Sequence, residues 1–415
     1  MFYKEPNFKE TTVGKIPEDW DVVKLIDICE LIRGTEPGSK TYNKARKGYR
    51  FIRVSDISKQ ILEGVFVDEN PNNLVFCTKD NILLVLDGVP GVVAKGFEGA
   101  VSSGIRVIKP KTNDINKDFL FYILQHEMVQ RIIENYTTGT TIKHSSRAVN
   151  FITISFTSLH EQEIIAEILS TVDKALGKTD EVIAKIERLK TGLIRELLTK
   201  GIGHKEYKET EIGKTPKEWG VEPLEKVCAA IVDCPHSTPK FTSKGVLIIR
   251  NFNIRDGELH LEPVYYTTEE EWFVRTRRCI PQNGDVLFSR EAPIGEASLA
   301  PESTRFSLGQ RTMMVRPNKT LLNPLFLLYA IYSPFIRRQL RNLEAGVTAH
   351  HVNVADIRTL KIPVPVLKEQ ERIASIISAV SEKLKLERKK KAKLERIKRG
   401  LMDLLLTGKV RVKVD

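Results

Sequence analysis

Two long segments of the chain carry apolar residues at helical spacing. In residues 161–199 these positions are Ile165, Ile168, Leu169, Val172, Leu176, Ile183, Ile186, Leu189, Leu193 and Leu197. Residues 369–407 repeat the pattern, and neither segment contains proline. Because apolar positions three and four apart form one face of an α-helix, both segments are predicted to be helices. About 39 residues extend roughly 58 Å, which is longer than a small domain is wide.

The ends of both helices carry recognisable signals. Ser158 and Glu161 form the first and last positions of a capping box at the start of the first helix. Gly201 follows the first helix and Gly408 follows the second, and glycine commonly ends a helix because it adopts a left-handed backbone.

The chain contains an internal duplication. Residues 9–29 align without gaps on residues 208–228 with ten identities in 21 positions, including Trp20 with Trp219. Residues 161–199 align on 369–407 with 19 identities in 39 positions. The stretches between these segments have diverged, so the shared ends predict a common scaffold and the variable middles predict the difference between the halves.

Connectivity predicts the direction of the helices. The first helix leaves the first module and delivers the chain to the second, so the second helix must run back to bury its apolar stripe. The sequence therefore predicts an α+β fold with two pseudo-repeated α/β modules, separated by two long antiparallel helices that form a coiled-coil-like spacer. The expected arrangement is an inverted one with a pseudo-twofold axis, which suits a DNA duplex read at two half-sites.

Each variable middle reads as a mixed α/β module. The predicted strands are Tyr49–Val54, Ile82–Leu86 and Ile105–Ile108, then Val246–Arg250, Val286–Ser289 and Arg311–Arg316. One helix is predicted near Asp118–Asn135 and another near Pro324–Arg341. The resulting domains are 1–158, a long helix at 159–203, a second module at 204–366 and a C-terminal long helix at 367–415.

Composition and charge indicate which class of partner and which cellular compartment to expect. The net charge is +12, and half of that excess, 11 Lys and Arg against 5 Asp and Glu, lies between Glu369 and Gly400. A basic balance favours a polyanionic partner, although a solvated helix face remains an equal alternative for that segment. No apolar stretch approaches the roughly 20 residues of a membrane helix. With no secretion signal and five unpatterned cysteines, read as small buried residues, we expect a cytoplasmic protein.

The repeated motifs resemble the specificity subunits of type I restriction-modification enzymes. The resemblance rests on the Gly-x-x-Pro-x-x-Trp openings at Gly14–Trp20 and Gly213–Trp219, and on the Pro-x-x-x-Glu-Gln-x-x-Ile-Ala helix entry from Pro365 to Ala374. It implies two target-recognition domains that read an interrupted site in double-stranded DNA. It further implies a helical spacer that docks two methyltransferase subunits, and restriction-translocase subunits in the larger assembly. No cofactor is expected on this chain, since S-adenosylmethionine, ATP and Mg would belong to partner subunits. In the first copy Ser158 stands where the second has Pro365.

Candidate DNA contacts are polar residues in matched or half-specific loops, because Arg, Lys, Asn, Gln, Ser and Thr contact base edges and phosphates. The half-specific candidates are Lys40, Tyr42, Lys44, Arg46 and Lys47, then His236, Thr238, Lys240, Arg290, Gln310 and Arg311. The matched candidates are Arg53, Ser55, Arg250, Asn253, Thr140, Thr141, Lys143, His144, Thr348, His350 and His351. For Arg53 and Arg250 a structural salt bridge is the competing interpretation, and for the turns a surface role without a ligand.

The sequence carries no recognisable catalytic motif. Asn323–Phe326 is one residue from the Asn-Pro-Pro-aromatic motif of amino-methyltransferases, but Asn before Pro is also typical of a helix start. Asp233–His236 lacks further ligands at metal spacing. Trp20 and Trp219 are predicted to be core anchors rather than base-stacking platforms. The favoured function is a non-catalytic DNA-specificity subunit, and the alternatives are a self-contained methyltransferase or nuclease and a structural spacer protein.

Overall fold

The computed structural model of the protein describes residues 2–59, 61, 64–68, 70–345 and 352–413. The chain divides into two compact units. Unit 1 comprises residues 1–180 and 389–415, and unit 2 comprises residues 181–388. Both boundaries fall inside the long helices that the sequence predicts, so each unit contains part of both.

Unit 1 is built from short strands and helices, numbered here along the chain. Its strands are β1 (Phe2–Lys4), β2 (Phe8–Thr11), β3 (Gly14–Pro17), β4 (Asp21–Lys24), β5 (Cys29–Arg33), β6 (Tyr42–Asn43), β7 (Tyr49–Ile52), β8 (Val65–Val67), β9 (Phe76–Cys77), β10 (Ile82–Val85), β11 (Asp87–Gly88), β12 (Val93–Ala94), β13 (Gly99–Val101), β14 (Ile105–Pro110), β15 (Lys143–His144), β16 (Thr153–Phe156) and β30 (Val410–Val412). Its helices are α1 (Leu25–Ile28), α2 (Val54–Ser58), α3 (Lys117–Gln125), α4 (Glu127–Asn135), the first part of α5 (Leu159–Lys200) and the last part of α11 (Leu367–Leu405).

Unit 2 is built from the same kinds of short element. Its strands are β17 (Tyr207–Thr210), β18 (Gly213–Pro216), β19 (Gly220–Pro223), β20 (Cys228–Asp233), β21 (Val246–Ile249), β22 (Ile254–Arg255), β23 (Glu258–Leu259), β24 (Tyr265–Thr267), β25 (Val286–Ser289), β26 (Ala297–Leu299), β27 (Phe306–Leu308), β28 (Thr312–Pro317) and β29 (Lys361–Val364). Its own helices are α6 (Leu224–Val227), α7 (Glu269–Thr276), α8 (Pro324–Ile331), α9 (Pro334–Ala345) and α10 (Val354–Thr359).

The same sheet order recurs in both units. Unit 1 has a four-stranded sheet of order β12-β10-β14-β5, and unit 2 has β26-β25-β28-β20. The central strands are buried on both faces. In β10, Ile82 and Leu84 belong to the core that contains Trp20, whereas Leu83 lies in a second core with Ile52 of β7. Alternation in a strand sends successive side chains to opposite faces, which explains the continuous apolar run at this position.

The two long helices pair in antiparallel fashion within each unit. In unit 1, Lys398 Nζ lies 2.7 Å from Asp173 Oδ1, and Lys391 Nζ lies 2.6 Å from Asp180 Oδ1. An advance of seven residues along α5 thus matches a retreat of seven along α11. In unit 2, Arg388 Nη2 lies 2.8 Å from Glu187 Oε1, and Ile194 and Leu198 farther along α5 share a core with Ile373 and Ile377 nearer the start of α11. The left-handed φ of +66° at Gly201 and +69° at Gly408 confirms the predicted glycine stops.

Each repeated tryptophan is anchored to the first turn of a long helix. Trp20 and Trp219 are 0% and 1% exposed, which confirms them as core anchors. Trp20 Nε1 donates to Glu161 Oε2 at 3.2 Å, and Trp219 Nε1 donates to Glu369 Oε2 at 3.0 Å. Ser158 Oγ accepts the Glu161 N–H at 3.3 Å as the capping box predicts, but the Glu161 carboxylate turns to Trp20 instead of completing the box.

A different cation completes this junction in each unit. In unit 1, Arg411 donates to Glu161 at 2.7 and 2.9 Å and to Asp19 at 2.9 Å. In unit 2, His204 takes that position, 2.9 Å from both Glu369 and Glu218. One unit therefore depends on a permanent cation and the other on a titratable one.

Unit 2 is expected to lose stability as the pH rises through the pKa of His204. Burial opposes the charged ring, but the hydrogen bonds to Glu369 and Glu218 outweigh it and raise the pKa of His204. The stabilisation is complete below the unfolded pKa of about 6.5 and is lost as the pH rises through the higher folded pKa. The thermal midpoint of unit 2 should fall by about 2 °C between those limits. The same fall in H204Q would contradict this assignment.

One half-buried ion pair of unit 1 has no counterpart among the described residues of unit 2. In unit 1, Asp173 accepts a hydrogen bond from Tyr122 Oη at 2.9 Å and pairs with Lys398. The equivalent residues of unit 2 are Tyr329, Lys190 and Ser381, and the Ser381 hydroxyl contacts Tyr329. Lys190 has no ion pair among the described residues, and burial lowers its pKa.

Substitution S381D should supply the missing carboxylate to Lys190. We expect the thermal midpoint of unit 2 to rise by roughly 2–4 °C, which corresponds to about 1 kcal/mol for a partly buried pair. S381N is the matched control, because it adds similar volume without charge and should give no such rise. An unchanged midpoint in both variants would show that Lys190 does not need this partner.

The late helix of each module is broken, so the prediction of one continuous helix in each was wrong. In unit 1, His126 has an extended ψ of 145° and its Nδ1 accepts from Met128 N at 3.3 Å, so α3 ends and α4 begins there. In unit 2, α8 ends before Pro334, whose missing N–H cannot continue the helix.

Among the described residues, no helix is long and apolar enough to cross a membrane.

Candidate nucleic-acid interface

Polar and charged side chains gather at one end of the four-stranded sheet in each unit. This end, where the strands terminate, is called the edge of that unit here. In unit 1 this edge is formed where Val85 pairs with Ile105 and Arg33 pairs with Arg106. In unit 2 the same edge is formed where Ser289 pairs with Thr312 and Asp233 pairs with Met313. The strand ends at this edge position the loops that carry most of the predicted DNA contacts.

The edge of unit 2 brings together four of the predicted residues. Arg290, His236, Gln310 and Arg311 come from two strand ends and two loops. Arg290 Nη2 lies 3.3 Å from His236 Nδ1, and Gln310 Nε2 donates to the His236 carbonyl at 3.0 Å. Arg290 N donates to the Arg311 carbonyl at 3.1 Å. Of the four residues, His236 and Arg311 are exposed, and a base-reading surface needs exposed donors held on a fixed framework.

Arg290 forms the base of this cluster. It is 6% exposed, and its Nε lies 3.0 Å from Asp233 Oδ1. The two atoms attract each other but are not aligned for a hydrogen bond, and neither finds another hydrogen-bond partner in the described part of the chain. His236 Nε2 lies 3.2 Å from the other Asp233 oxygen. The buried Arg290 guanidinium is thus held by Asp233 and His236 at the base of the cluster.

Arg311 adopts a strained backbone at the tip of the cluster. Its φ of +71° lies in the left-handed region, which is uncommon for a residue with a side chain. The guanidinium is 60% exposed and its Nε lies 2.9 Å from Glu291 Oε2. Strain of this kind persists where the surrounding structure enforces it and clusters at binding sites.

The edge of unit 1 carries a different set of charges. His144 Nδ1 lies 2.9 Å from Asp87 Oδ1, and the two residues face each other across the β11-β15 ladder. Arg106 is 6% exposed and donates to Ser146 Oγ at 2.8 Å. Burial, followed by the nearby Arg33, lowers the pKa of Arg106. The position that bears Arg290 in unit 2 bears the buried Leu86 in unit 1, and Asp87 matches Glu291.

The predicted polar turn of unit 1 lies directly above this edge. Thr140, Thr141 and Lys143 are exposed. A Cβ at Gly139, whose φ is +94°, would lie 2.2 Å from the Ile142 carbonyl, so only glycine fits. The matched residues of unit 2, Thr348, His350 and His351, lie outside the described residues.

A basic cavity of about 530 Å³ lies beside β7 in unit 1. Its cationic lining is Lys44, Arg46, Arg50 and Arg53. Lys40 and Lys47 are exposed on the neighbouring loop, and Tyr42 is half-buried with its hydroxyl on Glu36. Burial, followed by the contact with Glu36, raises the pKa of Tyr42 to about 12, so the hydroxyl stays protonated. The cavity suits a phosphate group.

Arg53 and Arg250 occupy matched positions but have different surroundings. Arg53 Nη2 donates to the buried Asp56 at 3.0 Å, and Ser55 lies on α2 beside it. In unit 2 the residue matching Asp56 is Asn253, whose side chain accepts the Arg250 N–H at 3.0 Å. The Arg250 guanidinium lies 4.9–5.6 Å from the ring centres of three aromatic residues, Phe241, Phe252 and Tyr265. Arg53 is thus engaged in a salt bridge, whereas Arg250 is held by cation–π contacts.

The chain matches the family model described as type I restriction modification DNA specificity domain over residues 17–188 and again over residues 216–396. The chain belongs to this family. It is 30% identical to the MjaX type I restriction enzyme specificity subunit of Methanocaldococcus jannaschii, covering 100% of this chain and 99% of that protein. The MjaVIII specificity subunit of the same organism is 29% identical, with 100% and 98% covered.

Solved structures show the same fold. The S subunit of a type I restriction-modification system from M. genitalium superposes with a TM-score of 0.59 at 14% identity, covering 93% of this chain and 96% of that one. By its match to the family model and its similarity to the named specificity subunits, the chain is a DNA-specificity subunit of type I restriction-modification systems, a class without catalysis of its own. Asn323 accordingly serves as a helix cap, because its Oδ1 accepts from Leu325 N at 2.9 Å and Phe326 N at 3.0 Å.

Several residues of the specificity subunit's candidate interface were missed from sequence. The missed residues are Arg33, Asp87, Arg106 and Arg275. Each alternates with apolar residues or lies on a short helix, so the sequence pattern predicts an ordinary surface position. Among the described residues, no group of three or more His, Cys, Asp or Glu side chains could hold a metal ion. Cys29, Cys77 and Cys234 are buried as predicted, whereas Cys228 and Cys279 are half-buried.

Proposed function

We propose that the chain reads an interrupted DNA site, with one half-site contacted by the sheet edge of unit 1 and the other by that of unit 2. The observation that carries the proposal is the contrast at one equivalent strand end, where unit 1 has the buried apolar Leu86 and unit 2 has Arg290 in the cluster with His236 and Arg311. The polar groups beside Leu86 are Asp87 and His144, so the two edges present different donors and acceptors. A carboxylate accepts hydrogen bonds and favours a base such as cytosine, whereas a guanidinium donates and favours guanine. Two modules of one fold with different polar groups at the same edge suit two different half-sites.

The proposal includes partner subunits. Type I specificity subunits work within complexes, and the long paired helices supply a spacer and a docking surface for two methyltransferase subunits. Restriction-translocase subunits complete the assembly in the cytoplasm, and S-adenosylmethionine, ATP and Mg bind the partners. Exposed apolar residues on these helices, including Leu189 at 53% and Leu386 at 59%, support docking because they are large and unburied.

The direct test is a binding selection on a bipartite-site library with the methyltransferase complex. We expect enrichment of two fixed half-sites separated by a constant spacer. Binding of random duplexes as tightly as every library member would overturn the proposal.

Substitutions at one edge should affect one half-site alone. H236A/R311A should relax base preference only in the half-site of unit 2 and weaken cognate binding by at least roughly 10-fold, because each good base contact contributes about 1–3 kcal/mol. H144A is the reciprocal control, since it should relax only the half-site of unit 1. A selection in which both variants lose the same positions would contradict the division of labour.

A further inference from the structure

Helix α7 of unit 2 presents an exposed apolar and basic face. Phe273 and Val274 are 64% and 68% exposed, which is unusual for two adjacent large apolar side chains. Arg277 and Arg278 follow at the end of the helix and are also exposed. The opposite face is buried through Trp272, whose Nε1 donates to the Phe306 carbonyl at 3.0 Å. The exposed face is therefore not needed to hold the helix in place.

Arg275 fixes α7 against the loops that carry the candidate base contacts. Its side chain is 1% exposed. Nη1 donates to the Ser237 carbonyl at 3.1 Å, and Nη2 donates to the carbonyls of Pro235 at 3.3 Å and Leu308 at 3.1 Å. His236 lies between two of these anchor points, and Leu308 precedes the turn with Gln310 and Arg311. Arg275 thus joins the inner face of α7 to the loops that carry His236, Gln310 and Arg311.

The chemistry of this face favours nucleic acid over a protein partner. Arg277 and Arg278 add exposed positive charge at the end of α7, which suits phosphates. Apolar side chains beside arginine are used by DNA-binding proteins as wedges against sugars and base steps in the minor groove. The acidic residues Glu269 and Glu270 lie at the opposite end of the helix, away from the arginines.

We propose that α7 contacts the DNA flanking the half-site read by unit 2, with Arg277 and Arg278 on phosphates and Phe273 against the wall of the groove. This contact rests on the proposed function and adds affinity without base preference. It gives unit 2 a longer footprint than its half-site.

The test measures affinity against salt concentration for the complex with its methyltransferase partner on a cognate duplex. R277A/R278A should lower the slope of log K against log salt by about 2 and weaken cognate and non-cognate binding by the same factor. F273S should weaken binding several-fold without changing the selected sequence. K214A/K217A removes two exposed lysines from the β17–β18 hairpin and should leave the slope unchanged. All substituted side chains are exposed, so the thermal midpoints should match the unaltered chain.

Shortening the duplex beyond the half-site of unit 2 should reduce unaltered binding to the level of R277A/R278A. An unchanged salt slope in R277A/R278A overturns the proposal, and a loss of methyltransferase binding instead would assign the face to a protein. If the unaltered complex selects a bipartite site while the α7 variants behave normally, only the α7 contact fails. If the unaltered complex selects no site, the proposed function and the α7 contact fail together.

Discussion

Replacement of Glu161 by leucine is expected to destabilise unit 1 by about 3 kcal/mol, because it removes the most buried of the three carboxylates that pair with Arg411 and leaves only Asp19 and Glu5. Glu161 is 1% exposed and accepts hydrogen bonds from Trp20, Thr157 and Arg411. Arg411 cannot reduce the cost of losing Glu161 by giving up its proton. Burial opposes its charge, but the bonds to Glu161 and Asp19 raise its pKa further above the usual range.

The measurement is thermal unfolding combined with hydrogen exchange on peptides of unit 1. The matched variant is E369L in unit 2, which should cost less because His204 can become neutral when Glu369 is removed. The double variant E161L/R411M should recover part of the loss, since it removes both charges together. Equal losses in E161L and E369L, or no recovery in the double variant, would show that the charge on Arg411 is not the cause.

The internal duplication allowed the fold to be predicted from the sequence. The cap residue Ser158, the glycine stops and the helical spacing each predicted one local feature that the structure confirms, whereas Glu161 does not complete the predicted capping box. The antiparallel pairing followed from connectivity and is confirmed within each unit by pairs such as Asp173 with Lys398. The junction cations were not predicted, because Arg411 matches His204 only after a one-residue shift that breaks the gapless alignment.

The candidate interface was predicted in outline only. The loops with His236 and Arg311 were found from residue type, and the structure brings them together with Arg290. Arg106 and Asp87 were missed, because burial of a charged strand end depends on the partner strand and leaves no local pattern. Helix α7 had a usable signal, since Thr268 lies three residues before Glu271 and caps its backbone N–H at 3.2 Å. Its apolar run is short, so the sequence pattern does not distinguish this helix from a strand.

Shortening both long helices by matched lengths is expected to change the spacing of the recognised site and leave each half-site sequence intact. Deleting residues 181–187 from α5 and residues 384–390 from α11 removes two turns from each. The ion pair of Asp180 with Lys391 remains, and the residues after the deletions restore antiparallel pairing at the same register. Seven residues at 1.5 Å correspond to about 10 Å, or roughly 3 base pairs of duplex.

The measurement is sequencing of methylated bases in DNA from cells that carry the shortened subunit and its methyltransferase partner. A single deletion in α5 alone is the control, because it shifts the register between the helices and should abolish specific methylation. Deletion of three residues from each helix is a second control. It removes less than one full turn and therefore rotates the apolar stripe by about 300°. If the doubly shortened subunit methylates the original site with its original spacing, the helices do not set the distance between half-sites.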